Sequence, residues 1–177
     1  MLLKLTTMKK IIMIGLFAIS ITACNQIKSA GDYEKNKVLA QEYFQTFVDQ
    51  DFEKWNSMTS DSLKHQSPFY GEGQINKEAA SEETKFYMTK FKDVTFSNAI
   101  WLPGVDNTTL IPNGGVRVYG TWSGTSIDTE KAFSINSYHW LEFNADGKVA
   151  ASGEFFDATG MVMAVAPDPE EAEESQE

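Results

Sequence analysis

Apolar positions recur every three or four residues in the first half of the chain and every second residue in the later half. Ala40, Tyr43, Phe44, Phe47 and Val48 make the stripe of a first helix that Asp32 can cap. Asp51 can cap a short second helix bearing Phe52, Trp55 and Met58. Residues 61–70, polar around His65 and Pro68, read as a connection, after which Asn76 opens a third helix with Ala79, Ala80, Phe86, Tyr87 and Phe91 on one face. Beyond Lys92 the period becomes two. Val94, Phe96 and Ile100 alternate with polar residues up to Pro103-Gly104; Val116, Val118 and Trp122 alternate with Arg117, Tyr119 and Thr121. Phe133, Ile135, His139, Leu141 and Phe143 share a face of a long strand, and Asp146-Gly147 signals a hairpin into a last strand with Val149, Ala151, Gly153 and Phe155 together. Three helices followed by about four antiparallel strands is an α+β order, in which helices cover one face of a curved sheet.

The two ends of the chain fall outside this pattern. Lys9 and Lys10 precede a thirteen-residue apolar run, Ile11 to Ala23, shorter than the roughly 20 residues a spanning helix needs, so it reads as a signal peptide. Met8, directly before the lysines, suits an initiator better than Met1. Ile21-Thr22-Ala23-Cys24 resembles the lipobox of bacterial lipoprotein precursors. That resemblance implies removal of residues 1–23, lipid on Cys24, a polar tether over 24–32, and a domain held on the bacterial cell envelope outside the cytoplasm. The alternative is a free thiol behind an ordinary signal peptide. Residues 167–177 hold six acids and one apolar residue, Ala172, and read as a solvated acidic tail. The folded domain is then 33–166.

Length and charge narrow the classes. A chain of 177 residues with 12 Phe, 6 Tyr and 4 Trp can fill one sizeable core. A net charge of −10, with Arg117 the sole arginine, excludes a nucleic-acid-binding face. Loss of Lys4, Lys9 and Lys10 with the signal makes the charge more negative still, so lipid rather than basic residues would hold the membrane. One cysteine excludes an internal disulfide. Two histidines and scattered acids show no metal-ligand spacing, and Asn113-Gly114-Gly115 precedes a strand rather than a helix, so neither metal nor cofactor is expected.

The closing stretch Phe143-Asn144-Ala145-Asp146-Gly147-Lys148-Val149, with Phe155-Phe156-Asp157 after it and the order of elements before it, resembles the nuclear transport factor 2-like superfamily, including its ketosteroid isomerase-like and SnoaL-like cyclase members. The resemblance implies a cone-shaped half-barrel with a pocket between helices and concave sheet. It does not imply catalysis, because the fold hosts enzymes, binders and dimerisation modules. For isomerase-like chemistry Tyr43 and Asp61 could fill two roles, but His65 is better placed than Asp61, and the inward strand positions offer His139 and no carboxylate. The Asp-Arg-Asp network of epoxide hydrolase-like members is not matched by Arg117 with Tyr119.

What remains for acid–base work is His65, His139 and Asp157. Each also has a plainer reading: an exposed loop histidine, a satisfied core histidine, and a turn cap. Tyr43, Trp55, Phe86, Trp101, Trp122 and Phe155 are expected around a ligand pocket or as core. Tyr119, Tyr138, Trp140 and Phe156 are expected on the opposite sheet face, where a homodimer would cover them. The resulting expectation is a lipid-anchored domain that binds a small apolar or amphipathic molecule without turning it over. An isomerase- or cyclase-type enzyme and a dimerisation or assembly module are the alternatives.

Overall fold

A computed structural model describes residues 32–168; Cys24, the signal segment, most of the tether and residues 169–177 lie outside the described residues. Asp32, assigned above to the tether, already belongs to helix α1, residues 32–48. Then come α2 (Phe52–Met58), β1 (Thr59–Gln66), β2 (Gln74–Asn76), α3 (Lys77–Lys90), β3 (Phe91–Val105), β4 (Pro112–Ser126), β5 (Ala132–Phe143), β6 (Val149–Phe155) and α4 (Ala158–Val165). The strands form one curved, unclosed sheet in the order β2-β1-β6-β5-β4-β3. Every pairing is antiparallel except that of β1 with β6.

The caps foreseen at Asp51 and Asn76 form: their side chains accept from the backbone N–H of Lys54 and Ala79, satisfying donors that a helix start leaves orphaned. The expected count of four strands becomes six. Residues 59–66 and 74–76 are strands rather than a polar connection, because β1 borrows its ladder from β6 and needs apolar residues only at its few inward positions, such as Leu63. A fourth helix, α4, was not foreseen.

Helix α1 lies in the concavity of the sheet. Phe44 is 5% exposed and meets Phe96, Trp101, Trp122 and His139 at ring-centroid distances of 4.8, 5.5, 5.6 and 5.0 Å. Trp55 of α2 is 1% exposed and donates its indole N–H to the Tyr43 hydroxyl at 2.7 Å, a buried bond worth about 1 kcal/mol. Gly120 makes the layer possible, since a Cβ there would sit within 2.1 Å of the Phe96 ring.

Two register shifts change which residues face this core. In β3 the shift between Ser97 and Ile100, with Asn98 at φ 53, turns Ile100 outward (59% exposed) opposite Tyr119 and brings Trp101 inward opposite Val118. Between β5 and β6 a shift at Glu142/Phe143 pairs Leu141 with Ser152 and His139 with Glu154. Ser152 and Glu154 therefore face inward, and Ala151, Gly153 and Phe155 outward, the reverse of the expected alternation.

Candidate functional site

The concave face and the helices enclose a cavity with about 100 Å³ open to the centres of water-sized molecules. Its wall is mostly apolar, with Phe44, Phe47, Trp55, Trp122, Phe133 and Met161 among the lining residues. One side carries a polar cluster built from four elements. His65 comes from β1, Glu83 from α3, His139 from β5 and Glu154 from β6; their side chains are 14, 14, 9 and 16% exposed. No lysine or arginine lines the cavity among the described residues.

Local structure fixes each of these groups. His65 is the register partner of Ser152, and its Nδ1 lies 2.9 Å from the Ser152 hydroxyl. The Ser67 hydroxyl donates to Glu83 Oε1 at 2.6 Å. The Trp122 indole N–H donates to His139 Nε2 at 3.0 Å, which makes that nitrogen an acceptor. The other ring nitrogen, Nδ1, lies 3.2 Å from Glu154 Oε2 and donates to that carboxylate.

The inner atoms converge: His65 Nε2 lies 3.6 Å from Glu83 Oε2 and 3.9 Å from Glu154 Oε1. The Tyr87 hydroxyl, on the same cavity wall, is the one buried side-chain nitrogen or oxygen without a hydrogen-bond partner among the described residues.

The electrostatics follow from burial. Burial lowers the pKa of His65, against the opposing pull of Glu154. Burial, with the neighbouring carboxyls Glu72 and Glu154, pushes Glu83 up to about 7, even though Ser67 donates to it. For Glu154 burial acts upward, but the His139 hydrogen bond and the two histidines outweigh it and hold the carboxyl below its usual range. Burial, and next the charges of Glu154 and Glu83, raise Tyr87 far above an ordinary phenol.

Of the expected catalytic trio, the fold brings His65 and His139 together and leaves Asp157 out. Asp157 caps α4, accepting from the Gly160 N–H at 2.8 Å, and is not among the residues that line the cavity. Asp61 is 97% exposed and pairs with Lys77. Tyr43, Trp55 and Trp122 line the cavity. Trp101 lies in the inner layer behind Phe44 without reaching the cavity. Phe86 is 41% exposed because α3 turns Ala80, Thr84 and Met88 inward instead.

The β6 register exchanges two further assignments. Phe155, expected in the pocket, is 56% exposed, whereas Phe156, expected on the outer face, lines the cavity. The outer face carries Tyr119, Tyr138 and Phe155 in a stacked row, with centroids 4.9 and 6.1 Å apart. Trp140 lies beside them, its indole over Gly153.

The sequence reading missed Glu83 and Glu154. Glu154 was placed outward by a strict alternation that the β5–β6 shift breaks. Glu83 was not singled out, although its spacing from Ala80 and Tyr87, three and four positions away, puts it on the buried stripe. The sequence showed no metal-ligand spacing, whereas the fold brings ligating atoms of His65, Glu83 and Glu154 within 4.8 Å of one another.

No family model matches the chain, and no curated protein matches it by sequence. Solved structures do. A Bacillus subtilis protein provisionally named an isomerase aligns at TM-score 0.63 and 15% identity over 75% of this chain and 94% of its own. The epoxide hydrolase/cyclase-like enzyme SalBIII, which acts in pyran ring formation in the polyether salinomycin, aligns at 0.60 and 19% over 71% and 93%. An NTF2-like protein from Exiguobacterium aligns at 0.54 and 20% over 68% and 98%. This chain thus has the NTF2-like fold, an α+β half-barrel, that these solved structures share.

Proposed function

We propose that this chain is an acid–base enzyme of isomerase or cyclase type that takes a small, largely apolar molecule into the cone. The observation that carries this is the convergence of His65, Glu83 and Glu154 on one side of an otherwise apolar, aromatic cavity, each tied at its far atom by Ser152, Ser67 and His139. Such pre-positioned polar groups in a desolvated pocket serve proton transfer to or from a carbon acid or an ether-forming hydroxyl. His139 is a positioning residue that orients Glu154, and Tyr87 can donate to a substrate oxygen.

The test is exchange of the α-hydrogens of cyclohexanone and larger cyclic ketones with deuterated water, followed by NMR. Wild type should accelerate exchange, while Glu154→Gln and His65→Ala should each cut the acceleration at least about 100-fold. Exchange no faster than in buffer would sink the reading. A binder without turnover is favoured by the apolar wall itself, and a co-purified small molecule in native mass spectrometry, without exchange, would select it.

The anchor and the assembly state belong to the same proposal. The lipobox-like segment supports lipidation at Cys24, which predicts that Cys24→Ser releases the chain from the membrane fraction. If the variant stays membrane-bound, the anchor lies elsewhere. The outer aromatic row supports a homodimer through the sheet.

A further inference from the structure

We propose that His65, Glu83 and Glu154 hold one divalent transition-metal ion at the cavity wall, with the rest of its coordination shell open to the bound molecule. The inference rests on reading this cluster as the working end of the cavity. Three features carry it.

The donor geometry comes first. His65 Nε2, Glu83 Oε2 and Glu154 Oε1 stand 3.6 and 3.9 Å apart as measured from the imidazole, and the three residues' ligating atoms lie within 4.8 Å of one another. A point equidistant from three atoms so spaced lies about 2.4 Å or less from each, so a small inward movement reaches the roughly 2.0–2.2 Å of metal–nitrogen and metal–oxygen bonds. One imidazole and two carboxylates suit Zn²⁺, Mn²⁺ or Fe²⁺, and three protein ligands leave room for water or substrate.

The outer contacts come second. Metal-binding histidines and carboxylates are commonly held at the atom that does not touch the metal. Here each one is: His65 Nδ1 by Ser152, Glu83 Oε1 by Ser67, and Glu154 Oε2 by His139, itself fixed by Trp122. The inner nitrogen of His65 faces the inner oxygens of both carboxylates. Two carboxylates in a cavity without lysine or arginine lack a counter-charge. A proton offsets one of those charges, whereas a divalent ion offsets both and occupies all three inner lone pairs.

Third, the buried Tyr87 hydroxyl has no hydrogen-bond partner among the described residues. It lies on the same wall and is available to donate to a water or substrate oxygen on the ion. A buried hydroxyl is seldom left unmatched unless something that binds completes it.

The experiment is a titration of the chelator-stripped full-length chain with Zn²⁺ by calorimetry and with Co²⁺ by visible absorption, without any organic ligand. The expected result is one equivalent of saturable binding, weakened at least about 10-fold by each of Glu83→Gln, Glu154→Gln and His65→Ala, and unchanged in Asp157→Asn. Circular dichroism identifies any variant that fails to fold, and the near-isosteric glutamine variants keep the test decisive if His65→Ala does. The absence of one-to-one binding, or binding that the folded ligand variants share with wild type, overturns the proposal. Because no substrate is present, this failure is separable from that of the proton-transfer reading, which the exchange assay tests on its own.

Discussion

At the scale of single residues, Glu83 has the most to tell. Its carboxyl is 14% exposed and pushed up to about 7, against an ordinary value near 4.5, chiefly by burial. A group whose folded pKa is raised adds stability below its unfolded pKa and loses it as pH climbs through the folded value, here between about 4.5 and 7. His65 acts oppositely, since its lowered pKa costs stability below its unfolded value near 6.5. The Glu83 contribution is therefore read as a difference between variants. In chelator-treated protein, Glu83→Gln should gain stability relative to wild type between pH 5 and pH 8, by roughly 1–3 kcal/mol. Thermal melts at both pH values measure it, and a stability difference that does not change with pH would mean that Glu83 is charged throughout. His65, His139, Tyr43, Trp55 and Trp122 were legible in the sequence as residues of interest, because rare types in a helical or alternating pattern stand out. Asp157 was equally conspicuous, and the fold places it at the start of α4 as its cap.

At the scale of elements, what the sequence conveyed depended on periodicity, and it failed where periodicity breaks. The caps at Asp51 and Asn76 and the Asp146-Gly147 turn, with Gly147 at φ 76, are local and were legible. The shift at Glu142/Phe143 is not local, because it follows from how two strands pair and not from either strand alone. A slip of one residue there moved Glu154 into the cavity and Phe155 out of it, so the chemistry of the site was hidden by a pairing detail. Strand β1 was hidden for a related reason. Leu63 is its single apolar residue, and its partner in the parallel ladder lies far along the chain, so no turn signal announces it. The α+β order and the concave sheet survive these errors because they depend on the sequence of periods rather than on register.

At the scale of the whole molecule, the sheet presents two faces of different character. The concave one is filled by α1 and the cavity; the convex one exposes Tyr119 (50%) and Phe155 (56%) in line with Tyr138. Covering that row in a homodimer would bury two such sets against each other. Sedimentation should find a dimer, and Tyr138→Glu combined with Phe155→Glu should yield monomers with the cavity intact; a variant that still dimerises would place the interface elsewhere. The parallel pairing of β1 with β6 has another consequence. The bond from His65 to Ser152 joins residues 87 apart in sequence, a contact that loop-closure entropy delays during folding. The cluster also needs Glu83 and Glu154, so its three inner atoms meet only after the last strand has been synthesised and added to the sheet. A nascent or truncated chain can carry helices and the β3–β5 meander without this cluster, which makes the meeting of His65, Glu83 and Glu154 a late event in the folding of this protein.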